Sequence, residues 1–108
     1  MDAAPSRRID LSAKLNAIMA EVNGKVYFQP PPDLVMTYPC LVYELEDVDI
    51  KFADNGPYSL FDRYQVTLIR HDPDSPIIRK LLGLPHSSFS RHFATSGLNH
   101  DVFVIYHQ

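Results

Sequence analysis

Between Asp62 and His71 apolar and polar side chains alternate. Tyr64, Val66 and Leu68 fall on one side and Arg63, Gln65 and Thr67 on the other, until Ile69 breaks the rhythm. A period of two predicts a strand with one side against a core. The stretch has no proline or glycine and is rich in β-branched and aromatic side chains, which predicts a place in the middle of a sheet.

The other elements follow from what pairs with this strand and what covers it. Leu11, Leu15, Ile18, Met19 and Val22 recur at spacings of three and four, predicting a helix over Arg8 to Val22 with Ser6 or Asp10 as its cap and Gly24 as its stop. Arg8, Lys14 and Glu21 fall to solvent. Val26 to Phe28 is a short extended piece, and Gln29-Pro30-Pro31-Pro32 is a stiff bridge that fixes the path of the chain. Leu41, Tyr43 and Leu45 alternate from Cys40 to Glu46, and Val48, Ile50 and Phe52 alternate beyond it. The apolar side slips by one residue between Leu45 and Val48, which predicts a bulge or bend.

Asp54-Asn55-Gly56-Pro57 then marks a turn into the Asp62 strand. The resulting hairpin has ten to twelve residues per arm, roughly 35 to 40 Å if extended, more than a small sheet shelters. Phe52, Tyr58 and Phe61 near its tip have no evident cover.

Asp72-Pro73-Asp74-Ser75-Pro76 ends the strand and opens a second helix, with Asp74 or Ser75 as cap and Pro76 as its first residue after Ser75. Ile77, Ile78, Leu81 and Leu82 form its buried side, and Gly83 and Pro85 close it. Ser88 to Phe93 and Asp101 to Tyr106 are the last strands, joined through Ala94 to His100. The final strand is apolar on both sides, so it belongs inside the sheet or under a neighbour. The expected fold is one α+β domain over residues 1–108, with a mixed, mainly antiparallel sheet, a long protruding hairpin and two helices packed on one face.

Composition narrows the function classes. The net charge is −3 and the ten Lys and Arg residues are scattered, so no basic stripe for nucleic acid stands out. No apolar run reaches the 18 or so residues of a membrane span and the first residues lack a signal peptide's apolar segment, so no membrane association is expected and the chain reads as cytosolic when made. Cys40, the single cysteine, allows no intrachain disulfide and reads as a small core residue.

Candidate chemistry is thin. The five histidines show no metal-ligand spacing, and His71 with Asp72 and Asp74 is explained by capping. His100-Asp101 after Asn99 reads as a turn, with no nucleophile or orienting third group in view. Four dispersed glycines make no phosphate cradle. No catalytic residue, cofactor or metal is therefore expected. Arg63 and Arg70 bracket the central strand opposite Glu44, Glu46, Asp47 and Asp49, which allows ion pairs across the hairpin or between subunits. Extended apolar surface in excess of what two short helices hide favours assembly over catalysis.

Four stretches carry a resemblance: Tyr38-Pro39-Cys40, Phe52-Ala53-Asp54-Asn55, Arg63-Tyr64 to Leu68-Ile69 with its Asp72-Pro73-Asp74-Ser75 exit, and Leu98-Asn99-His100-Asp101-Val102-Phe103. In that order, over Val26 to Tyr106, they resemble the small tail-completion proteins of bacteriophages with long non-contractile tails. The resemblance implies a tail terminator: a homo-oligomeric, hexameric ring that caps the head-proximal end of the tail tube, stops polymerisation of the major tube protein and offers a surface to the head-completion protein. It also implies residence in the virion at the head-tail junction, with the genome passing through the lumen and no sequence-specific contact to nucleic acid. The implied assembly residues are Phe52, Asp54, Asn55, Tyr58, Phe61 and Arg63 at the hairpin, with Asn99, His100 and Asp101 second. A head-closure (stopper) protein of the same junction is the nearest alternative, and a small hydrolase or toxin-like enzyme using His100 and Asp101 is the alternative of another class.

Overall fold

The computed structural model describes residues 4–53 and 56–107, with side chains over 8–48 and 62–107. Helix α1 spans Ala4–Met19 and tightens into a 3-10 turn over Ala20–Val22. Ser6 and Asp10 therefore lie within the helix and do not cap it. The reversal belongs to Asn23, at φ 54° in the left-handed region, after which the Gly24 amide donates to the Met19 carbonyl at 2.9 Å. Gly24 serves a different need from the predicted stop. A Cβ there would lie 2.4 Å from Met19 Cε and 3.1 Å from the Pro39 carbonyl oxygen, so a side chain at this position would require the Met19 tip to move and would press on the Pro39 carbonyl.

Strands β1 (Lys25–Phe28), β2 (Cys40–Ala53), β3 (Gly56–Arg70), β4 (Ser87–Thr95) and β5 (Leu98–His107) form one sheet in the order β1-β2-β3-β5-β4. β1 runs parallel to β2 and every other pair is antiparallel. The Asp62 strand is thus the centre of the sheet, as its alternation and lack of breakers predict. The shift read between Leu45 and Val48 is present as a bulge between Leu45 and Asp47, so Leu45 opposes Tyr64 while Asp47 opposes Arg63. The hairpin arms have 14 and 15 residues, longer than expected. Ala53 pairs with Gly56 at the far end, and Asp54 and Asn55 between them lie outside the described residues.

Helix α2, Ile77–Leu82, is six residues long. Ser75 Oγ accepts from the Ile77 amide at 3.2 Å and Asp72 Oδ1 from the Asp74 amide at 2.9 Å, so the polar run does structural work in the turn. Pro76 stands just before the helix and is not its first residue. Leu82 is 42% exposed, against the expectation that it faces the core. β4 and β5 also meet more closely than expected. The connection is only Ser96-Gly97, so Asn99, His100 and Asp101 are strand residues and not a turn.

The core lies between the sheet and both helices. Leu11, Leu15 and Met19 of α1 and Ile77 and Leu81 of α2 pack on Leu41, Tyr43, Tyr64, Val66, Leu68, Phe103 and Ile105. Cross-strand pairing puts all of these strand residues on one face of the sheet. Burying a leucine fully contributes about 1.5–3 kcal/mol, so this layer is the main source of stability. Lys80 and Glu21 join the helices at 2.5 Å, and the Arg8 guanidinium lies 4.7 Å over the Phe28 ring, so neither Arg8 nor Glu21 is simply a solvent residue. On the opposite face Cys40 is fully buried, which pushes its thiol up to about 11.

Leu15→Ala is expected to lower the unfolding free energy by about 2–5 kcal/mol in a urea titration, and Leu82→Ala by less than about 1 kcal/mol. Cys40 is expected to resist a thiol reagent at pH 8 in the native state and to react at once in denaturant.

Candidate functional site

The sequence-predicted assembly residues are not brought together. β3 pairs Arg63 with Tyr106 at one end of its ladder with β5 and Arg70 with Asn99 at the other, about 23 Å apart at roughly 3.3 Å per residue. Phe52, Tyr58 and Phe61 are on the hairpin beyond Arg63, Phe52 and Phe61 in paired backbone and Tyr58 at a second register shift; their side chains lie outside the described residues, as Asp54 and Asn55 do altogether. Asn99, His100 and Asp101 belong to the other end of the sheet.

Adjacent residues on a strand point to opposite faces, and this separates His100 from Asp101. His100 stacks on Phe93, with ring centres 4.6 Å apart and planes 13° apart. Asp101 turns to the helix-covered face, where it is 2% exposed. Arg70 Nε donates to Asp101 Oδ2 at 2.7 Å, and His92 Nδ1 donates to Oδ1 at 2.7 Å. The Arg70 guanidinium also donates through Nη1 to the Asp72 carbonyl oxygen. Arg70 therefore pairs with β5 and not with the acidic residues of β2. Arg63 does pair across the hairpin, with Glu46 at 2.6 Å.

Burial alone would raise the Asp101 pKa, but the hydrogen bonds from Arg70 and His92, reinforced by their charges, hold the carboxyl below its ordinary value. With Nδ1 donating to the carboxylate, the neutral His92 ring carries its lone pair on Nε2. This His–Asp pair is buried on its acidic side, and its members are nine residues apart. The Ser96-Gly97 turn holds the signal for it. A two-residue hairpin loop pairs Thr95 with Leu98, and counting back places His92 opposite Asp101. Acid–base chemistry would also need a nucleophile or a bound group beside Nε2, and no described contact supplies one.

A second polar cluster lines a cleft of about 280 Å³ between α1 and the end of β5, with Asp10, Lys14, His86, Tyr106 and His107 on its walls. Its charges are engaged internally. Asp10 Oδ2 lies 3.0 Å from His107 Nε2 and 3.4 Å from Lys14 Nζ. That arrangement sets Asp10 of the first helix beside His107 of the last strand by proximity, without a hydrogen bond to His107 Nε2. Among the described residues no three His, Cys, Asp or Glu side chains gather as metal ligands, and no helix is long and apolar enough to cross a membrane.

Among the described residues the sheet has stretches of strand with a partner on one side only. β1 accompanies β2 only from Cys40 to Tyr43, and β5 accompanies β3 only from Asp62 to Arg70. Beyond these limits the hairpin continues, among the described residues, as two strands without a third for about 20 Å. At the other margin, β4 presents nine residues with no strand outside it among the described residues. Because the Tyr106 amide donates to the His86 carbonyl, the ladder's alternation turns the backbone groups of Ser87 and Phe89 outward. Phe89 and Phe93 on this strand are 46% and 39% exposed. No family model matches the chain, and no curated protein does.

The depressed Asp101 pKa fixes the sign of a pH effect. Its stabilisation is present above the unfolded carboxyl value, near 4, and is lost as pH falls through the lower folded value. In urea titrations between pH 7 and pH 2, Asp101→Asn is expected to destabilise the protein at pH 7 and to flatten the acid limb of the stability curve.

Proposed function

We propose that this chain is a structural ring subunit of a bacteriophage tail, with a terminator-like fold, capping the head-proximal end of the tail tube and presenting a joining surface to the head. The observation that carries the reading is the two-stranded ribbon of β2 and β3, which outruns the sheet on both sides while β4 leaves a nine-residue edge open. Such edges invite pairing with another chain, and a soluble protein that keeps them has a use for them. The resemblance of the four motifs gives that use its direction. Phe52 and Ala53 of its second stretch fall at the ribbon's far end, and its Leu98-to-Phe103 stretch lies on β5 beside β4.

In this reading the subunits form a hexameric ring, the hairpin reaches a neighbour or the tube protein, and the helical layer forms the wall. The partners are further copies of this chain, the major tube protein and a head-completion protein. Chain termination needs no catalysis, because a ring that binds the last tube layer and offers no equivalent upper surface halts growth.

Particles assembled without this chain are expected to carry overlong tubes in electron micrographs. Tubes of normal length beside leaking heads would assign the chain to head closure instead, and unchanged particles would remove it from the virion.

A further inference from the structure

We propose that the outer edge of β2 pairs antiparallel with the same edge of a second copy, about a two-fold axis at Ile50, so that two hairpins join into one four-stranded ribbon. The contact goes beyond the ring reading and stands without it, since it describes the free chain before any tube is present.

The backbone places the axis. Among the described residues no strand lies outside β2 beyond Tyr43. The first amides along that margin are closed by the chain itself: Leu45 donates to Gln29 Oε1 at 3.2 Å and Val48 to Asp47 Oδ1 at 2.8 Å. Val48 therefore turns its amide away from β3. The register with β3 runs without a break from Asp47 to Lys51, so the next residue to present its backbone groups on the same margin is Ile50. A two-fold axis at such a residue makes a pair that exchanges both N–H···O=C bonds with its copy. The extra residue at the second register shift, Tyr58, is on β3, and β2 runs on through Phe52.

The sequence about Ile50 is a palindrome of residue types. Val48-Asp49-Ile50-Lys51-Phe52, laid antiparallel on itself with Ile50 opposite Ile50, sets Asp49 across from Lys51 twice and Val48 across from Phe52 twice. Within one chain neither charge has its opposite directly across the ladder, because β3 sets Phe61 against Asp49 and Ser59 against Lys51. A shift of one residue in either direction sets two Asp49 or two Lys51 residues face to face. The β4 edge is a poorer partner for the same segment. It carries Arg91 and His92 and no acidic residue, and His92 is held by Asp101, so Lys51 would go unanswered there. The symmetric pairing answers both charges, and such a contact is isologous and stops at a dimer.

The test is sedimentation equilibrium of the full chain over rising concentration, in which the wild type is expected to pass from monomer to dimer. Asp49→Lys and Lys51→Asp each oppose like charges twice, and each is expected to weaken dimerisation about tenfold. Mixing the two variants is expected to give a one-to-one dimer within about threefold of wild-type affinity, a rescue that a folding defect would not allow. Ile50→Pro removes an amide that the β3 ladder does not use, so it is expected to abolish the dimer and leave the far-ultraviolet circular dichroism unchanged. A wild-type chain that stays monomeric, single variants that dimerise like wild type, or a mixture no better than its parts would overturn the pairing. The ring reading is judged separately, by tube length in particles made without the chain.

Discussion

β3 has to satisfy two environments with one uninterrupted backbone. Over Tyr64 to Leu68 its alternate side chains seal against two helices, and before Asp62 its one neighbouring strand among the described residues is β2. The bulge after Leu45 adjusts the partner strand at the border between the two regimes. Moving that extra residue would turn β2's alternation over along one half of the hairpin, sending either Leu41 and Tyr43 or their continuation to the wrong face. The core and the overhang are therefore coupled through register, and neither can be altered freely without the other.

At the opposite end of β3 the organising group is a charge. Asp101 occupies a core-facing position beside Leu68, where a carboxylate is costly unless both oxygens are engaged. Arg70 and His92 engage them, and Arg70 reaches on to the loop that leads into α2. One buried anion thus fastens three neighbouring strands and the approach to the second helix. The geometry resembles part of a catalytic relay, but its engaged groups explain a structural role: the imidazole orients on the carboxylate at the sheet margin, and the guanidinium closes the inner side.

Much of the fold was legible because the core obeys simple periods. The three-and-four spacing of Leu11, Leu15 and Met19 and the two-residue spacing of Tyr64, Val66 and Leu68 are imposed by the same buried layer that the structure shows. The bulge was legible because the apolar pattern changes phase. What escaped were features decided by geometry away from the pattern. Gly24 resembles a helix stop, yet its role comes from the proximity of Met19 and Pro39, and Asn23 makes the turn. Asn99-His100-Asp101 looks like a polar loop because a strand residue held by Arg70 and His92 has the same letter as a solvated one. Pairing His92 with Asp101 required committing to the two-residue turn at Ser96-Gly97. Of the candidate site, the unusual length of the hairpin was readable, whereas the open β4 edge depended on sheet order, which local alternation does not encode.

The Gln29 side chain closes off one end of the exposed ribbon. Its amide oxygen accepts from the Leu45 backbone at 3.2 Å, just after the Gln29 amide donates to the Tyr43 carbonyl at 2.9 Å. One residue thereby imitates the next rung of a departing strand, and three prolines carry the chain away. Because Gln29 already occupies the Leu45 amide, a polypeptide paired along the outer edge of β2 would find this amide as a doorstop at the core end of the ribbon.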